Sequence, residues 1–82
     1  MKLPRDVSAA DLEKALNRNF GYHFSRQVGS HRRLTSIKTG TQHHLTVPAH
    51  DPLKSGTLRA ILGEVAEYHG LSITEVLTTL SL

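Results

Sequence analysis

The chain contains no cysteine, and that one absence removes disulfides, thiolate zinc sites, iron–sulfur clusters and thiol nucleophiles together. It is compatible with a reducing cytoplasm, the expected location. Long apolar runs are missing as well. The longest is Ala60-Ile61-Leu62, far below the ~18 residues that span a bilayer, and no apolar stretch follows the basic Lys2 and Arg5 as it would in a secretory leader. No membrane partner is expected. Acidic residues are scarce where basic ones gather: between positions 18 and 59, Asp51 is the one acid beside Arg18, Arg26, Arg32, Arg33, Lys38, Lys54 and Arg59. The preceding stretch is balanced, and positions 60–82 hold Glu64, Glu67 and Glu75 with no Lys or Arg. There is no Gly-rich nucleotide loop, no serine elbow and no H-E-x-x-H or related chelating spacing. His43 and His44 are adjacent in a predicted strand and so point to opposite faces. No metal site and no cofactor are expected.

What is present is an ordinary globular composition over 82 residues, enough for a single domain spanning 1–82. A chain of this size buries only ~60% of the surface its unfolded form exposes, so any active site is shallow. Five of the six histidines, His23, His31, His43, His44 and His50, fall in the basic middle. Clustered Lys and Arg draw phosphates and release counterions on contact, which makes a polyanion the natural partner of that region. A solvated basic face with no partner is the alternative that charge alone leaves open.

Ser8-Ala9-Ala10-Asp11 reads as a helix start, with Ser8 capping the backbone at Asp11 and Val7 stapled to Leu12. Leu12, Ala15, Leu16 and Phe20 then form one apolar stripe, and Gly21 is placed to stop a helix over 8–20. From Tyr22 the period becomes two: Tyr22, Phe24, Arg26 and Val28 alternate with His23, Ser25 and Gln27, predicting a strand that ends at a Gly29-Ser30 turn. A second strand is predicted from His31 to Lys38, with a bend or end before Ile37, whose parity is wrong. Thr39-Gly40-Thr41 turns the chain into a third strand through Leu45 and Val47, closed by Pro48. Leu58, Ile61, Leu62 and Val65 give a second helix over 55–68, interrupted by Gly63 at a cost of ~1 kcal/mol and ended by Gly70. Ser72-Ile73-Thr74-Glu75 is a capping box opening a last short helix that buries Val76, Leu77 and Leu80. The fold class is therefore α+β, in the order α-β-β-β-α(-α). A three-stranded antiparallel sheet carries its helices on one face, as in double-stranded-RNA-binding domains. Its unpaired edge is open to pairing with a partner protein or with a second copy of the chain, as a homodimer.

In the second strand His31, Arg33 and Thr35 share one face, and Arg32, Leu34 and Ser36 the other. If Leu34 faces the helices, His31 and Arg33 face water together. General acid–base cleavage of RNA needs such a group, titrating near neutrality to take the 2'-hydroxyl proton, beside a cation that holds the phosphate. An ordinary exposed strand histidine reads the same way. Lys54-Ser55-Gly56-Thr57, ahead of the second helix, is an anion site or simply a cap.

The runs Gln27-Val28-Gly29-Ser30-His31, Leu45-Thr46-Val47-Pro48-Ala49-His50 and Leu53-Lys54-Ser55-Gly56-Thr57-Leu58-Arg59-Ala60-Ile61-Leu62, with the opening Lys2-Leu3-Pro4-Arg5 and the helix ending before Phe20-Gly21, resemble the HicA-type toxins, also described as the YcfA-like family of messenger-RNA interferases. The motifs follow the family's order and approximate spacing over nearly the whole chain. The resemblance implies a double-stranded-RNA-binding-like fold, metal-independent endoribonuclease activity on messenger RNA, and a cognate HicB-type antitoxin that covers the active surface. It implies that His31, the histidine of the G-S-H step, is catalytic. Gly29 and Ser30 would position it, and His50, in the V-P-x-H step, would have a structural or loop-fixing role. By charge and position, Arg26, Arg32, Arg33, Lys38, Lys54, Thr57 and Arg59 are the expected RNA contacts. Two departures stand out: Val28 occupies a place where the family often has a basic or polar residue, and the second helix runs long, through Glu64-Val65-Ala66-Glu67-Tyr68-His69. A non-catalytic RNA-binding module of the same fold is the competing reading.

Overall fold

The structure is a computed structural model describing residues 2–37 and 40–82; the predicted contact Lys38 and part of the predicted turn at Thr39 lie outside the described residues. The element order is α1 (Ala9–Phe20), β1 (His23–Val28), β2 (His31–Ser36), β3 (His43–Pro48), α2 (Ser55–His69) and α3 (Ile73–Leu80). The three strands form one antiparallel sheet in the order β1-β2-β3.

Side-chain caps open α1 and α3, and left-handed glycines close α1 and α2. Ser8 Oγ accepts from the Asp11 N–H at 3.0 Å. Gly21, at φ 70°, turns the chain left-handed so that its N–H and that of Tyr22 close onto the Asn17 and Leu16 carbonyls, a stop that a residue with a Cβ adopts only at a cost. Ser72 and Glu75 form the reciprocal capping box at α3. Gly63 leaves α2 continuous, and a Cβ there would only touch Ile73 of α3 at ordinary contact distance.

The apolar stripes of the helices meet the sheet on one face. Leu12, Leu16, Leu58, Ile61, Leu62, Val65 and Val76 are buried against Leu34, Leu45 and Val47. Tyr22 joins this core. β2 ends at Ser36, whose hydroxyl donates to the Phe20 carbonyl at 2.7 Å, and Ile37 is 63% exposed just beyond it, as its parity predicts. Leu77 is only partly buried, packed on the rim of the core, because α3 is two turns long and covers α2 with a narrower stripe than expected.

Tyr22, Phe24, Arg26 and Val28 do not share a face. The β1–β2 register pairs Phe24 with Leu34 and Arg26 with Arg33, with an irregularity between Phe24 and Arg26. The extra residue, Ser25, breaks the alternation, as a β-bulge does. Phe24 therefore stays on the helix side with Leu34, while Arg26 and Val28 turn to the opposite, open face.

Candidate active face

Directly paired residues of an antiparallel sheet project to the same side, so the register lays out the open face as three cross-strand rows. Val28, His31 and Pro48 make the first, Arg26, Arg33 and Thr46 the second, and His23, Thr35 and His44 the third. No Asp or Glu occurs in any of the three strands. The first two rows border a shallow depression of about 280 Å³ lined by Arg26, Val28, His31, Arg33 and Thr46.

His31 is the first residue of β2, and its placement is set by the turn before it. Gly29 sits at φ 58°, as the first central residue of a two-residue hairpin loop requires. The Gln27 side-chain amide donates to the Gly29 carbonyl at 2.9 Å. The Ala49 N–H donates to the Ser30 carbonyl at 2.6 Å, tying the turn to the chain just after β3. The G-S-H step thus works through backbone: glycine supplies the bend, serine the carbonyl that is clamped, and the imidazole emerges into solvent. Val28, 64% exposed, stands opposite it. Arg26 and Arg33 make no ion pair among the described residues.

The other expected contacts lie elsewhere. Arg32 is on the helix side, where its guanidinium bonds both carboxylate oxygens of Glu13 at 2.5 and 3.1 Å, reaches Gln27 at 3.1 Å and lies 4.1 Å over the Phe24 ring. The Glu13 bond raises its pKa further above the usual arginine value. Lys54, Thr57 and Arg59 belong to the start of α2, in the helix layer. Lys54 is its N-cap residue without a side-chain cap, and the first turn holds no acid. Arg59 borders a separate depression of about 600 Å³ with Lys2, Arg5 and Pro52. The main chain of His50 ties its loop to α1: its carbonyl accepts from the Ala9 N–H at 3.1 Å.

Two arrangements were not foreseen from the sequence. The Arg26–Arg33 opposition depends on the bulge at Ser25. On the same face, Thr35 Oγ1 lies 2.9 Å from His44 Nδ1, a pair whose only sequence signal is strand parity once the β2–β3 register is known. Among the described residues no group of three or more His, Asp or Glu side chains converges as a metal would require, and no helix is long and apolar enough to cross a membrane.

Comparison with known proteins adds one finding. The family model described as HicA toxin of bacterial toxin–antitoxin systems matches residues 9–66, from the start of α1 to near the end of α2, with all three strands inside the match. No curated protein and no solved structure matches the chain.

Proposed function

The chain belongs to the HicA family of toxins from bacterial toxin–antitoxin systems, and from that premise we propose that it is a metal-independent endoribonuclease that cleaves messenger RNA on the open face of its sheet. The single observation that carries this reading is the first two rows of that face: an exposed imidazole at position 31, and in the next row along two guanidinium groups that make no ion pair among the described residues.

The chemistry follows from those groups. His31 takes the proton from a ribose 2'-hydroxyl as its oxygen attacks the adjacent phosphorus. The O2'–P bond forms, the P–O5' bond breaks, and the departing 5'-oxygen is protonated, leaving a 2',3'-cyclic phosphate and a free 5'-hydroxyl. Arg26 and Arg33 hold the phosphate oxygens and stabilise the charge that builds on them. Gly29 and Ser30 position the ring. Family membership brings a cognate antitoxin, and a HicB-type protein laid over the open face would silence the site by covering His31. Arg32, engaged with Glu13 on the other side of the sheet, has no part in this mechanism. Lys54, Thr57 and Arg59 act, if RNA reaches the helix layer, as peripheral phosphate contacts.

A second reading, a non-catalytic RNA-binding module, draws on one specific observation: the neighbours of His31 in its own row are Val28 and Pro48, neither of which titrates. The other proton transfer then falls to water or to a group on the substrate. The test is to purify the protein free of any antitoxin and incubate it with RNA in chelator. Wild-type protein should give fragments ending in cyclic phosphate and leave DNA intact, because DNA lacks the attacking hydroxyl. His31→Ala should stay folded and give none. Equal cleavage by His31→Ala would overturn the assignment, and a wild type that binds but never cuts would leave the binding module.

A further inference from the structure

Cleavage as described uses the first two rows of the open face and leaves the third without a task. That row holds His23, Thr35 and His44, with both imidazoles exposed. The Thr35 hydroxyl lies 2.9 Å from His44 Nδ1 and fixes the ring. In the tautomer whose Nδ1 accepts from that hydroxyl, the proton is on Nε2, at the far side from Thr35, as a donor turned toward solvent. Nothing acidic on the strands competes for it.

Spacing connects this row to the other two. His31, Arg33 and Thr35 follow each other at every second residue of β2, so the rows lie about 6.7 Å apart at the usual rise of a strand. That step is close to the phosphate-to-phosphate repeat of a nucleic-acid strand drawn out of its helix. Proteins that hold single strands do so partly with a positively charged groove that tracks the backbone.

We propose that a single RNA strand lies extended along β2 across all three rows. Its scissile phosphate sits at Arg26 and Arg33 beside His31, in the depression the first two rows share, and the next phosphate, one row further on, is held by His44 and His23, with Thr35 positioning the His44 ring. The inference rests on the open face being the RNA face, but it is read through binding and needs no cleavage.

The experiment titrates fluorescent 2'-deoxy oligonucleotides, which lack the attacking hydroxyl, against the full chain and follows anisotropy. A dinucleotide spans the first two rows only; a hexanucleotide reaches the third. His44→Ala should weaken the hexanucleotide about tenfold or more, the value of one hydrogen bond to a charged group, and leave the dinucleotide unchanged. Thr35→Val, which keeps the imidazole but frees the ring, should show the same length-selective loss in smaller measure. Lys14→Ala, removing a cation from the exposed side of α1, should change both oligomers by one factor. Loss of both lengths alike in His44→Ala, or of neither, overturns the subsite. The two proposals fail separately: a protein that binds the hexanucleotide through His44 yet never cuts RNA refutes cleavage and keeps the subsite. One that cuts RNA with hexanucleotide binding untouched by His44→Ala does the reverse.

Discussion

Arg26 stands directly across the β1–β2 ladder from Arg33, on the face that carries His31. Two like charges opposed in a ladder destabilise the fold by a few tenths to about 1 kcal/mol, and no acid on the strands offsets them. The arrangement exists only because the bulge at Ser25 turns Arg26 away from the helix side. A structural role would be better served by almost any neutral residue, which supports the proposed use of the pair as a phosphate site.

Arg26→Ala should therefore separate stability from function. Relieving the repulsion should leave the denaturation midpoint unchanged or raise stability by up to about 1 kcal/mol. Loss of one charge-assisted phosphate contact should weaken oligonucleotide binding about tenfold or more and lower the slope of log affinity against log salt by about one. Chemical denaturation and a salt series of binding isotherms measure the two effects. A variant that loses stability and binding together would show that Arg26 has a packing role instead.

Gly29 is the second point at which the backbone governs the site. At φ 58°, with no atom within 4 Å of where a Cβ would stand, replacement by Ala meets strain and nothing else. The left-handed conformation costs an L residue roughly 1–2 kcal/mol, so Gly29→Ala should lose about that much stability and, by shifting the turn, reduce cleavage. Gly29→Asn, which tolerates this conformation better, should recover part of both. Midpoints and cleavage rates of the two variants, compared in parallel, check the order; equal loss in both would place the requirement elsewhere.

These two sites show what the sequence could and could not reveal. Ser8, Gly21, Ser72 and the stripe from Leu58 to Val65 act within a turn or two of themselves, so local rules locate α1, α2 and α3 to within a residue or so. The Gly29-Ser30 turn likewise fixes His31 opposite Val28 without further information. Ser25 is different: an alternating run reads the same with or without an extra residue, and only the partner strand reveals the bulge. Arg32 was legible as a cation but not as the partner of Glu13, which lies 19 positions earlier on another element. The same holds for Tyr22, whose hydroxyl meets His43 and His69 from two distant elements.

Arg32 yields the opposite prediction to Arg26. Its guanidinium ties β2 to α1 through Glu13 and covers the Phe24 ring, and it lies on the side of the sheet away from His31. Arg32→Ala should lower the thermal midpoint while leaving the rate of RNA cleavage and oligonucleotide affinity near wild type. Glu13→Gln should lower the midpoint in the same direction, and the double variant should lose less than the two singles added together, as coupled residues do. Additive losses would mean that the ion pair contributes nothing to stability.

Tyr22 links stability to pH. Its hydroxyl lies 2.8 Å from His43 Nδ1 and 3.0 Å from His69 Nε2, joining the start of β3 to the end of α2, while the Tyr68 ring stacks on His43 at 4.2 Å. Burial, then the proximity of Tyr68 and Glu64, raises its pKa well above the ordinary 10.0. The folded protein thus keeps a phenolic proton that the unfolded chain releases. The sign follows from proton linkage: the unfolded state binds fewer protons above that ordinary value, so the contribution is complete below pH 10 and is lost progressively as pH rises past it. Tyr22→Phe should cost about 1–2 kcal/mol at neutral pH, because two imidazole nitrogens lose their shared partner. It should also remove this group's share of the alkaline decline. The gap between wild type and variant, measured as denaturation midpoint against pH, should be widest below pH 10 and narrow above it. A gap that stays constant into strong base would mean that the Tyr22 hydroxyl is not held protonated by the fold.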